Sequence, residues 1–266
     1  MIILKKKMLS LLKRKVVWFG DAPKVSQCLT TVYKQSLAMK NFFGYKRDDF
    51  YTKLIDISGS DEQLILGFDK QTAYDIRRGR KDGISSQIHN GAEEFVVFYN
   101  DFAKTKGLNT IDLSKVDYGG NLMITKAVIE NDTLVMHSYI LDPSLRRVRL
   151  LHSASLYRNE ETGASKRSLV GRANRLLHLE DMSLFRSQGY KIYDMGGYAY
   201  QTTDSNLLRI NVFKDGFGGE MVLESDYWPL TFIYLMRLFA FLKATGNKIG
   251  SKMSANQVKK DIPYAV

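Results

Sequence analysis

The sequence predicts a mixed α/β (α+β) fold, a central sheet flanked by helices, with an N-terminal extension ahead of it. Three observations predict it. From about residue 50, strand-like and helix-like runs follow one another as β-α-β-α, then β-β-β, then α-β-α-β-α. The 266 residues are 44% hydrophobic and 25% charged, an ordinary globular balance with ample capacity for a core. Only four prolines occur and no Ser/Gly/Pro-rich run stands out as a linker, which favours one compact unit. The expected organisation is an extension over 1–49, a main domain over 50–245 and a polar, loosely held tail over 246–266.

Each element has a local reason. "MIILKKKMLSLLKRKVVWFG" puts Leu4, Met8, Leu11, Leu12 and Lys15 at helical spacing, so a basic amphipathic helix is expected there. "FYTKLIDIS" reads as a strand carrying Leu54 and Ile57, and Ser58 and Ser60 are N-cap types for a helix ending near Gly79 or Gly83. "ISSQIH" is a short strand. Residues 91–106 place Phe95, Phe98 and Phe102 at helical spacing, and Gly107 is a stop signal. "NLMITKAVIEN", "TLVMHSYILD" and "RRVRLLHSASLYR" are three consecutive strands, the first two joined by a hairpin turn at "ENDT". The polar "NEETGASK" precedes the longest helical pattern, 167–189, with Leu169, Ala173, Leu176, Leu177 and Leu184 on one face. "YKIYDMGG" is a strand, "NLLRINVFKDGFGG" helix-like, "EMVLESDYW" a strand and "LTFIYLMRLFAFLKATG" an apolar helix.

Charge narrows the partners. With 39 Lys and Arg against 28 Asp and Glu, the net charge is +11, which favours nucleic acid, anionic lipid or phosphate-rich ligands. Six basic residues and no acid in the first twenty positions suit an anionic membrane surface, or simply a solvated face of an element packed on the core. The lysines interrupt the apolar stretch too often for a secretory signal or a membrane span. Cys28 is the only cysteine, and His89, His137, His152 and His178 show no paired spacing, so no metal site is expected. His137, mid-strand, reads as a satisfied core residue, and "DIRRGRKDG" as a solvated helix end or a minor contact to RNA or lipid phosphate.

Three constellations could carry chemistry. "KRSLVGRANR" gathers Lys166, Arg167, Arg172 and Arg175 around Gly171 at the expected helix entry, which suits a pyrophosphate or is merely the basic start of a helix. "YDMGGY" ends a strand on Asp194 and then Gly196–Gly197, a place to orient an amine or an ordinary capped turn. "INVFKDGFGGE" sets Lys214 near a helix C-terminus before Gly216, Gly218 and Gly219. Locally, a lysine there needs no explanation beyond the helix dipole.

The order of these pieces changes that balance. "FDKQTAYDIRRGRKDGI", "VGRANRLLHLEDMSLFRSQGYKIYDMGGY" and "NVFKDGFGGE" resemble, in sequence, the opening segment, phosphate-loop helix with following strand, and FKxxFGG element of the FemAB-like branch of the GNAT acyltransferases. The similarity spans about residues 50–228. Gly171 and Ala173 fit the GNAT signature, whereas Ser168 holds its first place with Arg167 one residue early.

The resemblance implies a single GNAT fold whose donor lies across splayed central strands. Donor phosphates would meet the amides of Val170 to Ala173, with Arg167, Val170, Gly171, Arg172, Ala173 and Asn174 forming the donor site. Lys214 would stabilise the reacting carbonyl or hold a phosphate, and Asp194 would help place the acceptor amine. Gly196, Gly197, Phe213, Phe217, Gly218 and Gly219 would line the substrate. The implied activity is N-acyl transfer from acyl-CoA or aminoacyl-tRNA to an amine of an envelope precursor, an amino sugar or a lipid-linked peptidoglycan peptide, by direct attack without metal. It implies a cytoplasmic enzyme, peripheral on the inner face of the cell membrane, and no DNA partner. The rival class is a non-catalytic GNAT-like module that binds tRNA or anionic membrane through its basic face.

Overall fold

A computed structural model describes residues 1–9, 12–156 and 163–246. Its strands are β1 (Ile2–Leu9), β2 (Leu12–Trp18), β3 (Thr31–Ser36), β4 (Tyr45–Asp56), β5 (Ser85–His89), β6 (Val116–Asp117), β7 (Leu122–Ile129), β8 (Asp132–Asp142), β9 (Arg147–Ser155), β10 (Ile192–Gly197) and β11 (Glu220–Pro229). Its helices are α1 (Asp61–Leu66), α2 (Lys70–Lys81), α3 (Ala92–Lys106), α4 (Ala164–Ser187), α5 (Ser205–Asp215) and α6 (Leu230–Gly246). The chain divides into two compact units, one of residues 51–223 and one of residues 1–50 with 224–266, the divisions falling at β4 and β11.

The 51–223 unit holds a mixed sheet in the order β5-β7-β8-β9-β10-β4-β11. Its β7, β8 and β9 are an antiparallel meander, as three consecutive strand-like runs require. β10 then pairs parallel to β9 and antiparallel to β4. A parallel pair needs a long crossover, and α4 supplies it. Val170, Ala173, Leu176, Leu177 and Phe185 bury the inner face of α4 against Val135, Tyr139, Val148 and Tyr193 of the sheet. Phe95, Tyr99 and Ala103 of α3 close a second cluster with Ile124, Met136 and Ala154.

Two expected elements of this unit change. The single helix over 61–83 is two helices, because Asp69 caps a fresh start by accepting from the Thr72 amide at 2.6 Å. α1 carries its own capping box, Ser60 with Gln63. The long helix begins at Ala164, ahead of the expected 167.

In the other unit, β4, β11, β3, β2 and β1 follow in order, β2 parallel to β3 and β1 antiparallel to β2. The expected N-terminal helix is therefore a pair of strands. Burial there alternates with period two: Ile2 and Leu4 are buried and Ile3 is exposed, the pattern of a pleated strand. Leu11, counted in the helical stripe, lies outside the described residues, as do 159–162 and the tail from 247. Val17, Tyr33, Tyr45 and Tyr227 form this unit's own core. Among the described residues, no helix is long and apolar enough to cross a membrane.

Candidate active site

The site begins where β9 and β10 part. Their parallel ladder has three pairs, Ile192↔Arg147, Tyr193↔Val148 and Asp194↔Arg149, after which β9 continues to Ser155 and β10 to Gly197. At the same point β10 bulges against β4: Asp194 faces Leu54, yet Gly197 faces Thr52. Gly196 is the residue that makes this possible. Its φ is +74°, and a Cβ there would sit 3.1 Å from the Leu150 carbonyl oxygen.

Asp194 is fully buried. Its Oδ2 accepts from Arg147 Nη2 at 2.6 Å and Nε at 3.2 Å, while Oδ1 accepts from the Gly196 amide at 2.8 Å and from the Thr52 hydroxyl. Burial alone would push its pKa up; Arg147, Arg149 and the Thr52 hydroxyl together outweigh that and hold it below the usual carboxylate value. Both carboxylate oxygens are occupied, so Asp194 pins the bulge and does not present a base to an acceptor amine.

Lys214 stands in the last turn of α5, which Asp204 caps by accepting from the amides of Asn206 and Leu207. It is buried, at 6% exposure, and its Nζ donates to the carbonyl of Gly197, the last residue of β10. Burial first, and then Arg149, lower its pKa from 10.5 to about 8, with Asp194 opposing the change. A cation is thus held beside the end of β10 in a dry setting, where it acts more strongly on nearby charge than it would in water. Nearby, Lys53 Nζ meets Asp215 at 2.8 Å and Tyr198 donates to the same carboxylate at 2.9 Å.

Several sequence-predicted residues serve the frame instead. Val170 to Ala173 lie in the second and third turns of α4, where each amide is used within the helix, so they cannot cradle phosphates. The amides left open by the helix start are those of Ala164, Ser165 and Lys166, just ahead of the first intrahelical bond, Arg167 to Gly163 at 3.2 Å. Arg167 is exposed in that first turn. Arg172 instead donates to Asp82 at 2.6 Å, and Asn174 accepts at 2.9 Å from His137 Nε2. Val170 and Ala173 are core. Phe217 is buried against Phe68, Phe213 and His178. The glycines that follow make room for backbone rather than substrate: a Cβ on Gly218 would meet the Gly67 carbonyl oxygen at 2.7 Å, and one on Gly219 would fall on the Leu54 carbonyl oxygen. Lys214, Asp194, Gly196 and Gly197 do come together.

What sequence reasoning missed is a buried polar chain behind them. His137 Nδ1 lies 2.9 Å from Asp181, and Tyr139 donates to the same carboxylate at 2.5 Å. Tyr139 thereby spends its only hydrogen, so the Tyr193 hydroxyl, 2.6 Å away, donates to it. Tyr193 in turn accepts from His178 Nδ1 at 2.6 Å, which leaves Nε2 of the neutral ring as an acceptor. Burial first, then His137, Lys214 and Arg175, push the His178 pKa well below its ordinary value and keep the ring neutral. The legible signals were Arg147 and Arg149 alternating within an apolar strand, and His178 and Asp181 one turn apart on the apolar helix. A cleft of about 800 Å³ between Asp56, Arg146, Lys191 and Glu220 lies at the other end of β10, away from this chemistry.

No family model matches the sequence, and none of the curated proteins matches it. Among solved structures, FemX aligns with a TM-score of 0.60 over 89% of this chain and 85% of its own, at 14% identity. This chain has the fold of FemX. The resemblance to the FemAB-like, GNAT-related branch read from the three motifs therefore holds at the level of the fold. L-PGS from Bacillus licheniformis also aligns, with a TM-score of 0.47 at 13% identity over 85% of this chain and 82% of its own.

Proposed function

We propose that this protein is an N-acyltransferase that moves an acyl or aminoacyl group to an amine of a cell-envelope precursor. The observation that carries the reading is the opening of the β9–β10 ladder after Asp194 and Arg149, with Lys214 held at the end of β10. A parted parallel ladder leaves strand amides and carbonyls for an extended donor to pair with. In the reaction, the acceptor amine attacks the carbonyl carbon of a CoA thioester or an aminoacyl ester. Negative charge gathers on the carbonyl oxygen, and the Lys214 ammonium stabilises it with donors beyond the one given to Gly197. The thiolate or the tRNA hydroxyl then leaves as the amine gives up its proton. Asp194 acts by fixing the bulge, and the open amides of Ala164 to Lys166, with Arg167, receive the donor phosphates. The acceptor is an amino sugar or a lipid-linked peptide, met by a cytoplasmic enzyme at the inner face of the membrane.

Calorimetric titration with acetyl-CoA and with aminoacyl-tRNA tests the reading. It predicts saturable binding of one of them, followed by mass-detectable transfer to a nucleotide-linked amino sugar or a lipid-linked peptide. The net charge of +11 keeps a binding module for tRNA as the second reading. Tight, salt-sensitive tRNA binding without transfer to any amine would decide for that module.

A further inference from the structure

We propose that the stacked rings of Tyr51 and Tyr200, with the Lys53–Asp215 pair beside them, bind the pyranose ring of the acceptor, which makes that acceptor an amino sugar. The inference rests on the acyl-transfer reading above and chooses between the two acceptors it names. Tyr51 and Lys53 alternate with the buried Thr52 on β4, so their side chains leave the same face of the sheet. Tyr51 stacks on Tyr200, with ring centres 4.4 Å apart and planes at 23°. Tyr200 is 46% exposed even so, an aromatic surface offered to solvent. Lys53 Nζ meets Asp215 at 2.8 Å and lies 5.8 Å from the centre of the Tyr198 ring, and Tyr198 donates to the same carboxylate at 2.9 Å.

Side chains pin the loop that carries Tyr200. Asn211 of α5 is buried; it accepts from the Ala199 amide at 3.0 Å and donates to the Ala199 carbonyl at 2.9 Å. Gln201 takes a φ of +51°, a left-handed conformation that costs free energy for a residue with a side chain. Its side-chain amide donates to the Tyr200 hydroxyl at 3.2 Å, so that hydroxyl keeps its own hydrogen to give. Strain kept beside an exposed, pinned ring points to a ligand. Tyr198 follows Gly197, whose carbonyl holds Lys214, and Asp215 follows Lys214, so the platform and the cation share both supports. The chemistry selects a sugar. One face of a pyranose is a patch of C–H bonds that packs on an aromatic ring, and its hydroxyls both donate and accept at the rim. An ammonium paired with a carboxylate answers such hydroxyls in both senses, at no net charge. A nucleotide would bring its ring with a phosphate, which calls for a cation not already neutralised by its neighbour.

Saturation-transfer NMR on the full chain, with glucosamine and with adenosine monophosphate as probes and no donor present, tests the proposal. Transfer is expected to the ring C–H protons of glucosamine and not to the adenine of the nucleotide. Tyr200→Ala should weaken glucosamine binding by at least about tenfold, and Tyr200→Phe should retain most of it, since the ring face remains. Lys53→Met/Asp215→Asn removes the pair without stranding a charge and should weaken binding as well. Acetyl-CoA titrated into Tyr200→Ala should bind as it does to the native chain. No transfer to glucosamine, or transfer indifferent to Tyr200→Ala, overturns the proposal. Adenine transfer that Tyr200→Ala abolishes, or acetyl-CoA binding lost in that variant, does so too, since the donor would then be the occupant. A chain that binds glucosamine through Tyr200 yet neither binds donor nor acylates an amine would instead defeat the acyl-transfer reading and leave the sugar site standing.

Discussion

Lys214 carries two opposed pH dependences at the residue scale. Its folded pKa is about 8 against an ordinary 10.5. Below about 8 both folded and unfolded chains hold the proton, and the buried charge costs its full amount. Between 8 and 10.5 the unfolded chain holds more protons than the native one, so stability rises with pH, by up to about 3 kcal/mol. Turnover should move the other way, falling above about pH 8 as the ammonium is lost. Denaturant midpoints and initial rates across that range check both limbs. Lys214→Met should flatten the stability rise and remove the rate. Lys214→Arg should push the alkaline fall in rate upward. A Lys214→Met enzyme with full turnover refutes the role.

Asp194 was legible as a strand-end carboxylate, but its partners were not, because Arg147 and Thr52 are distant in sequence and meet it only across the sheet. Replacing it by Asn leaves Arg147 buried opposite a neutral group, and should cost about 3–5 kcal/mol in urea unfolding. Its lowered pKa also places its contribution above the ordinary carboxylate value of 3.8, lost as pH falls through the folded value below that. A variant with unchanged stability and a large loss of turnover would return Asp194 to the chemistry.

Elements were read most securely where period and caps agreed. The β7–β8–β9 meander followed from three apolar runs and a turn, and α3 from its phenylalanines and Gly107, which adopts a φ of +63° at the helix end. Elements failed where local patterns fit two structures. Leu4 and Met8 suit a helix, yet pairing with the Lys13–Trp18 stretch across the ladder made a strand, a tertiary choice invisible to spacing. The start of α4 was misplaced because the arginines and Gly171 looked like an entry, while the true N-cap, Gly163, has no capping side chain. The resemblance implies that Gly218 and Gly219 line the substrate. Their positive φ values, +69° and +76°, and the carbonyls of Gly67 and Leu54 beside them assign them to the turn from α5 to β11. Either glycine changed to Ala should lose at least about 1–2 kcal/mol in thermal unfolding. A Gly219→Ala protein of native stability that no longer binds donor would favour the substrate surface.

For the whole molecule, the order of elements pointed to the fold, and FemX at 14% identity shares it, which shows how little of a layered α/β architecture depends on particular surface residues. The buried chain from Asp181 through Tyr139 and Tyr193 to His178 is only half legible: His178 and Asp181 lie one turn apart on one helix, whereas Tyr139 and Tyr193 each read as core. Tyr193→Phe removes one link and should cost about 1–3 kcal/mol, read as a lowered denaturant midpoint. The proposed acyl transfer depends on the cation at the end of β10. Its most direct measurement is mass-spectrometric detection of an acylated amine after incubation with acetyl-CoA or aminoacyl-tRNA and an envelope amine, for the native chain and a folded Lys214→Met variant. The native chain should give product, and the variant at least about a hundredfold less. Equal product from both, or tight donor binding with no product from either, would contradict it.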